Sequence, residues 1–278
     1  MSEPAMILFL PSTRGGLARI INSCLFHAEK IININNLIKY FGLFILQGAI
    51  SVVSGTVFTI VNSCSFPVWP GILTGDNLPQ LNGGGFALTP GASVGVTAPA
   101  GWSGRIWGRT GCNFDAFGNG KCLTGDCGKL QCSGAGGVPP ATLAEFTIGH
   151  GGAMDFYDVS LVDGYNVQME IKTQGGSGDC QNVGCVSDLN VICPNELRIP
   201  NPNGGNAVAC MSACEAFKRP DYCCTGAFNK PETCPPTHYS KIFKTACPKA
   251  YSYAYDDATS TFTCANANYS IIFCPIIA

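Results

Sequence analysis

Acidic side chains are scarce in this chain, and three of them lie close together in one stretch of sequence. Asp and Glu make up 18 of 278 residues, yet Asp155, Asp158 and Asp163 fall within nine positions of strand-like sequence. A carboxylate is costly to bury among apolar strands unless it pairs or faces a cleft. The residues alone favour carboxylates that lie solvated at strand ends, and Asp163-Gly164 has the composition of a turn. The alternative is that the cluster faces a cleft.

Other catalytic signatures are missing from the sequence. It contains no Gly-x-Ser-x-Gly elbow, no His-Glu-x-x-His and no phosphate-binding loop. His150 and His238 have no matched nucleophile, so we interpret both as structural. The sequence predicts no cofactor.

The 17 cysteines are the second group of residues whose side chains could do chemistry. No Cys-x2-Cys pair occurs, and Cys122, Cys127 and Cys132 are each separated by four residues, which disfavours zinc. We therefore predict no metal site. Disulfides in an oxidising, secretory compartment explain the cysteines better, but spacing alone leaves their connectivity open.

Composition and charge exclude several classes of function. Charged residues form 12% of the chain, about half the usual quarter, and 46% of residues are hydrophobic, so the chain is not disordered. The net charge of −2 creates no field that attracts nucleic acid or acidic membranes. We expect neither as a partner.

Residues 1–54 differ from the rest and are predicted to be a secretory leader with an atypical extension. Lys39 precedes the 13-residue apolar run Phe41–Val53, and small residues follow. This layout is typical of a signal peptide, and the run is too short to span a bilayer. A membrane anchor or a buried helix is the alternative, and residues 1–36 fit no signal pattern. Cleavage near residue 54 would remove Cys24 and leave sixteen cysteines and a net charge of −4.

Short strand-like segments follow one another from Thr56 onwards, with turns rich in Gly, Pro and Asn every 8 to 12 residues. This spacing predicts an all-β antiparallel sandwich or barrel. The segments are Thr56–Asn62, Gly85–Thr89, Ser93–Thr97, Gly104–Arg109, Thr142–Ile148, Met154–Val162 and Asn166–Ile171.

Residues 180–248 have a different character. They carry nine cysteines and many turn residues, so we expect a disulfide-rich lobe that depends on its bridges. Within this lobe, Ala209–Lys218 is the best helix candidate.

Several phrases of the sequence resemble the signature of the thaumatin-like proteins, pathogenesis-related family five. They are Gly118–Cys132, Ile106–Cys112, Thr142–Phe146, Asp155–Gly164, Tyr222–Cys224, Ala250–Asp257 and Phe273–Pro275. The resemblance extends from Thr56 to Pro275. It implies a thaumatin-like domain over 55–278, an eleven-stranded β-sandwich flanked by the lobe, with a cleft between them.

The resemblance also implies a disulfide pattern that spacing could not supply. The implied pairs are Cys64–Cys274, Cys112–Cys122, Cys127–Cys132, Cys180–Cys264, Cys185–Cys247, Cys193–Cys210, Cys214–Cys223 and Cys224–Cys234.

In family members with an acidic cleft, one Arg, one Glu and three Asp line it. By motif, the resemblance assigns these roles to Arg105, Glu145, Asp158, Asp163 and Asp188. Arg105 should offset the crowded negative charge and lower the carboxyl pKa values. Glu145 is the candidate general acid, Asp163 is the second candidate catalytic carboxylate, and Asp158 is the next in order.

The resemblance implies a secreted plant defence protein of the apoplast or cell wall that binds β-1,3-glucan, with weak endo-glucanase activity as one option. Phe156 and Tyr157 could cover the apolar faces of sugars. The alternatives are a non-enzymatic antifungal protein acting on membranes or receptors and a storage scaffold. We expect a monomer without stable membrane insertion, and Asn268-Tyr-Ser270 is a glycosylation sequon.

Overall fold

The computed structural model describes residues 55–75 and 78–276. The predicted leader over 1–54 lies outside these residues. Thirteen strands are described, β1 to β13 in chain order: Thr56–Asn62, Trp69–Thr74, Ser93–Ala98, Ser103–Arg109, Asn113–Phe114, Gly120–Lys121, Leu143–Thr147, Asp155–Ser160, Met169–Ser177, Val183–Cys185, Arg198–Ile199, Ala209–Cys210 and Phe262–Phe273.

Helices in the described part of the chain are short. The α-helices α1 to α5 span Leu189–Ile192, Ala213–Phe217, Pro220–Cys223, His238–Ala246 and Asp257–Ser260. Three 3-10 turns cover Leu81–Gly84, Asn195–Leu197 and Gly226–Phe228. None of the helices described is long and apolar enough to cross a bilayer.

Two sheets share the long strand β13. In one sheet the strand order is β3-β1-β13-β9-β10, and in the other it is β2-β4-β7-β8-β13. The first part of β13 pairs with β8, and the remainder pairs with β9 and β1. All of these pairs are antiparallel except β1 with β13. The predicted all-β sandwich is thus confirmed, although nine strands form it where the resemblance implies eleven, and one pair at its centre is parallel.

Aromatic side chains fill the space between the two sheets. In β1 the buried positions alternate, so Phe58 and Ile60 face inward. The Phe58 ring lies 4.6 Å from that of Phe146 on β7 and 5.3 Å from that of Trp102, between ring centroids. Tyr269 of β13 packs against Phe146 at 5.1 Å. These contacts join strands of both sheets into one apolar core.

Most predicted strands correspond to observed ones. Two predicted strands and the predicted helix differ. Gly85–Thr89 forms only two isolated bridges, at Gly85 and Leu88, because the preceding left-handed turn at Asn82 and Gly83 redirects the chain. The segment predicted at 166–171 begins as a strand only at Met169. The helix predicted over Ala209–Lys218 is shorter, as described next.

Ala209 and Cys210 form a strand rather than a helical turn. Their backbone pairs with Arg198–Ile199, and Cys210 also exchanges two hydrogen bonds with Tyr165. The helix begins after Ser212, whose hydroxyl accepts from the Glu215 amide, and ends before Lys218, which is left-handed. The prediction of a ten-residue helix is therefore corrected to five residues.

Eight disulfides cross-link the described residues. They are Cys64–Cys274, Cys112–Cys122, Cys127–Cys132, Cys180–Cys264, Cys185–Cys247, Cys193–Cys210, Cys214–Cys223 and Cys224–Cys234. These are the pairs that the resemblance implies. Cys64–Cys274 ties the end of β1 to the end of β13 across a separation of 210 residues.

Candidate functional site

Three ionisable side chains form a row across neighbouring strands. Arg105 of β4 lies opposite Glu145 of β7, which lies opposite Asp158 of β8. Side chains directly opposite each other on antiparallel strands have Cβ atoms about 4.5–5.5 Å apart. Because alternate residues face opposite sides of a strand, the flanking residues Ile106 and Phe146 enter the core while this row faces outward. Strand register therefore fixes the row.

The row forms the floor of two adjoining cavities, of about 570 Å³ and 380 Å³. Arg105, Glu145 and Asp158 line both cavities. Phe156 and Thr147 border the larger one, and Tyr251 and Asp257 border the smaller one. The two cavities together form one cleft along the outer face of the sheet.

Asp163 reaches the same cleft from the turn that follows β8. Its Oδ2 lies 3.8 Å from Nη1 of Arg105, in an ion pair whose partners are both more than a third exposed. Gly164 completes the turn with φ of 89°, a conformation that favours glycine, and a Cβ there would collide with Pro140 and the Cys210 carbonyl. The turn expected at Asp163-Gly164 and the cleft position of Asp163 are therefore both observed.

Asp257 is a further carboxylate in the cleft that the sequence analysis did not select. It lies at the start of α5, and its Oδ1 accepts a hydrogen bond of 2.7 Å from the Tyr251 hydroxyl. Its charge is one of those that raise the pKa of Asp158. The signal was present, because Asp257 ends the family phrase Ala250–Asp257. We call Arg105, Glu145, Asp158, Asp163 and Asp257 together the acidic cleft.

The assignment of Asp188 to this cleft needs correction. Asp188 caps α1, accepting from the Asn190 amide at 3.1 Å, and lines a different cavity together with Trp69 and Tyr165. The motif around Asp188 indicated a functional carboxylate but could not show which cavity it faces. Asp257 occupies the cleft instead.

Burial controls the protonation of the cleft. It raises the pKa of Asp158 to about 8, with the negative charges of Glu145 and Asp257 adding to the effect. Burial also raises the pKa of Glu145, against the opposing charge of Arg105. Asp163 has its pKa raised by burial too, although Arg105 again opposes the shift. As expected, the charge of Arg105 lowers the pKa values of Glu145 and Asp163. Burial raises both values by more, so the net shift is upward.

One oxygen of Asp158 supports this picture independently. Oδ1 is shielded from solvent and has no hydrogen-bond partner within the described residues. A carboxylate oxygen in that position is poorly stabilised when charged, so the neutral acid is favoured. The neighbouring Glu145 and Asp158 thus form a carboxyl pair that retains a proton near neutral pH.

The two aromatic residues expected to cover sugar faces are separated by the alternation of β8. Phe156 is 49% exposed and lines the larger cavity. Tyr157 is 1% exposed, and its hydroxyl donates to the Gln181 carbonyl from within the core. Only Phe156 of this pair can contact a ligand in the cleft.

The remaining predicted site is the sequon at Asn268. Asn268 is exposed on β13, and its Oδ1 accepts a hydrogen bond of 2.8 Å from the Val57 amide. Ser270 is buried and accepts a hydrogen bond from Gln174. The sequon therefore lies within a paired strand.

Together, these features define a disulfide-bridged β-sandwich with an acidic cleft on one face. The thaumatin family model matches residues 62–275, and the chain belongs to the thaumatin family. Pathogenesis-related protein 5 from Arabidopsis thaliana is 63% identical over 243 residues, covering 87% of this chain and 99% of the relative.

Two further comparisons concern glucan. A Prunus avium protein named glucan endo-1,3-beta-glucosidase is 54% identical over 217 residues, covering 77% of this chain and 88% of that protein. The structure of a laminaripentaose-producing β-1,3-glucanase in complex with laminaritetraose aligns with a TM-score of 0.56 at 13% identity, covering 81% of this chain and 99% of that one. This structural likeness shows a shared fold.

Proposed function

We propose that this protein binds β-1,3-glucan in the acidic cleft and hydrolyses it slowly, as a secreted plant defence protein acting on fungal cell walls. The observation that carries the proposal is the row Arg105–Glu145–Asp158 on the floor of an open cleft, with Phe156 exposed beside it. Carboxylates accept hydrogen bonds from sugar hydroxyls, and a ring face covers the apolar side of a pyranose. The sixteen paired cysteines suit an oxidising extracellular location. The relative named as a glucan endo-1,3-beta-glucosidase supports the choice of polymer.

Glycoside hydrolysis needs one protonated and one ionised carboxyl group on either side of the scissile bond. Asp158, with its pKa raised to about 8, keeps a proton at neutral pH and is better suited as the acid than Glu145. In the proposed reaction, Asp158 donates its proton to the glycosidic oxygen, which leaves with one part of the glucan. The ionised Glu145 attacks the anomeric carbon and forms a glycosyl ester. Water then attacks the same carbon and gives its proton back to Asp158, while the ester bond breaks and Glu145 leaves as the carboxylate. Because Glu145 and Asp158 lie directly opposite each other on neighbouring strands, the retaining route, which needs carboxyl groups about 5–5.5 Å apart, fits better than the inverting route, which needs about 6.5–9.5 Å.

Arg105 and Asp163 have a different role in the proposal. Their ion pair at the cleft rim offers a guanidinium donor and a carboxylate acceptor to the sugar hydroxyls. Asp163 therefore contributes to binding, and the Glu145–Asp158 pair replaces the pair Glu145 and Asp163 as the catalytic candidate.

The test measures two quantities on the oxidised protein: pull-down by insoluble β-1,3-glucan and the release of new reducing ends. We expect Glu145→Gln and Asp158→Asn each to lower the rate of reducing-end release by about 10²–10⁴-fold. Asp163→Asn should weaken pull-down more than it slows cleavage. The matched control is Glu170→Gln, which removes a carboxylate paired with Lys172 on β9.

Each outcome separates the candidate functions. Pull-down by the parent without any reducing ends would reduce the proposal to glucan binding. If the parent does not bind glucan, the glucan proposal fails and action on a membrane or receptor becomes the leading alternative. Equal activity of Glu145→Gln and Glu170→Gln would show that chemistry occurs elsewhere.

A further inference from the structure

A second cavity, of about 480 Å³, opens at the other end of β2 and β4 from the acidic cleft. Trp69, at the start of β2, borders it, whereas Leu73 of the same strand borders the acidic cleft. At about 3.3 Å per residue, these positions are about 13 Å apart along the strand. We name this second cavity the Trp69 cavity.

The charges around the Trp69 cavity limit what it can bind. Asp188 is the only acidic residue in its lining, and no Lys, Arg or His lines it. Burial raises the pKa of Tyr165 at the back of the cavity, and the negative charge of the exposed Asp188 adds to this shift. An anionic ligand such as a phosphate would meet no cation here, so the chemistry favours a neutral molecule rich in hydrogen-bond donors.

Apolar rings supply the second half of the chemistry. Phe66 is 43% exposed, and Trp69 is partly exposed beside it. The same cavity is also lined by the Asp188 carboxylate, an acceptor, and by the Asn201 carboxamide, which can both donate and accept. Flat apolar faces bordered by polar groups match a pyranose, which has C–H faces and hydroxyl edges.

The walls of the cavity are held in place by local structure. The Asn62 side-chain Nδ2 donates to the Phe66 carbonyl at 3.0 Å, and Cys64, two residues before Phe66, is bonded to the cavity residue Cys274. On the opposite wall, the hydrogen bond from the Asn190 amide fixes Asp188 as the cap of α1. A site that is ordered before binding loses less conformational entropy when the ligand arrives.

We infer that the Trp69 cavity is a second saccharide-binding site, which takes one to three sugar units of an uncharged polysaccharide. The identification of the polymer as β-1,3-glucan rests on the proposed function, whereas the inference that the cavity binds a sugar does not. Two sites on one rigid domain would increase retention on an insoluble polymer through effective concentration.

Tryptophan fluorescence gives a readout that is specific to this cavity. The chain has three tryptophans, and Trp102 and Trp107 are fully buried in the structure. We expect a saturable change in emission when β-1,3-linked glucotetraose is titrated into the protein, or in separate titrations β-1,4-linked glucotetraose or xylotetraose. Trp69→Phe should abolish the signal while retaining an aromatic face.

Variants then locate the binding. Phe66→Ala and Asp188→Asn should each weaken the titration by about tenfold. Asp188→Asn keeps an oxygen that can cap α1, so the fold is preserved. Glu145→Gln in the acidic cleft should leave the Trp69 response unchanged, which separates this inference from the proposed function.

Three results would overturn the inference. The first is no response to any of the three oligosaccharides, and the second is a response to choline alone, which would indicate a cation site. The third is a saccharide response that survives both Phe66→Ala and Asp188→Asn but disappears in Glu145→Gln. If glucan fails to bind the acidic cleft while the Trp69 response persists, the proposed function fails and this inference stands.

Discussion

The sandwich and the disulfide-rich lobe achieve their stability in different ways. In the sandwich, Phe58, Trp102 and Tyr269 are fully buried between two sheets, and the apolar core is continuous. In the lobe, α1 to α3 have four or five residues each, and no residue of α3 is buried. Helices of this length are not stable alone, and four disulfides join lobe residues to one another.

This difference extends to the acidic cleft. Arg105, Glu145 and Asp158 are placed by strand register, which the core stabilises. Asp163 and Asp257 are placed by turns and short helices, and the lobe residues Glu215 and Lys218 act on the pKa of Asp163. The carboxyl pair Glu145 and Asp158 therefore lies on the strands of the sandwich, whereas the surrounding acceptors Asp163 and Asp257 depend on local turns.

The largest expected effect is on the sandwich core. Phe58→Ala removes a fully buried ring that contacts Trp102, Phe146 and Tyr269, so we expect a loss of about 3–5 kcal/mol in the free energy of unfolding. Guanidinium unfolding measures this loss. Phe117→Ala, at a position that is 90% exposed, is the control and should change stability by less than about 0.5 kcal/mol. Similar losses for both variants would contradict the described core.

The second effect is on the lobe. Replacing Cys214 and Cys223 with Ala opens a bridge between residues nine positions apart, which costs about 3 kcal/mol in a chain-entropy treatment. We expect hydrogen exchange to accelerate in α2 and α3 while the amides of β1 and β13 keep their protection. Uniform loss of protection would show that lobe and sandwich unfold as one unit, and the comparison would break down.

The third effect is a dependence of stability on pH. The folded pKa of Asp158 is about 8, above its unfolded value of about 4, so the folded state binds more protons between these pH values. This contribution to stability is fully present below pH 4 and is lost as pH rises through 8. Asp158→Asn should therefore flatten the decline and be more stable than the parent at pH 5.5, by about 2 kcal/mol. A parallel decline in parent and variant would show that Asp158 is charged at neutral pH.

The smallest effect concerns the ion pair at the cleft rim. Arg105→Gln removes a partly exposed pair at 3.8 Å, so stability should change by less than about 1 kcal/mol. The pKa values of Glu145 and Asp163 should rise further, because Arg105 opposes both shifts. Carboxyl NMR titration measures the change, and Lys172→Gln, which breaks another exposed pair, is the control. Unchanged titration of Glu145 would place Arg105 outside the electrostatics of the cleft.

The sequence predicted the strand-rich class and the family, because alternating patterns and motif phrases are local. It did not predict β2, β13 or α4. β2 contains Pro70, which is tolerated because β2 lies at the edge of its sheet. β13 has two asparagines, Asn266 and Asn268, near its middle, and this residue type is depleted in strands.

Within the site too, the sequence predicted the residues that lie in local motifs. Arg105, Glu145, Asp158 and Asp163 lie in or just after predicted strands, and motif matching selected them. Asp257 is separated by about a hundred residues from Glu145, and only tertiary structure brings the two together. Asp188 and Asp257 both lie in turn-rich sequence, where neither periodicity nor composition shows which cavity a carboxylate faces.

The position of β13 in the chain determines when this fold can form. β13 is central to both sheets, yet it follows every other described strand in the sequence. Until residue 273 has been synthesised, β1, β8 and β9 each lack one of their two partner strands. Cys64 likewise lacks its partner Cys274. The open strand edges can pair with other chains during that interval. Productive folding is therefore a late event, completed by the final strand and sealed by the last disulfide along the chain.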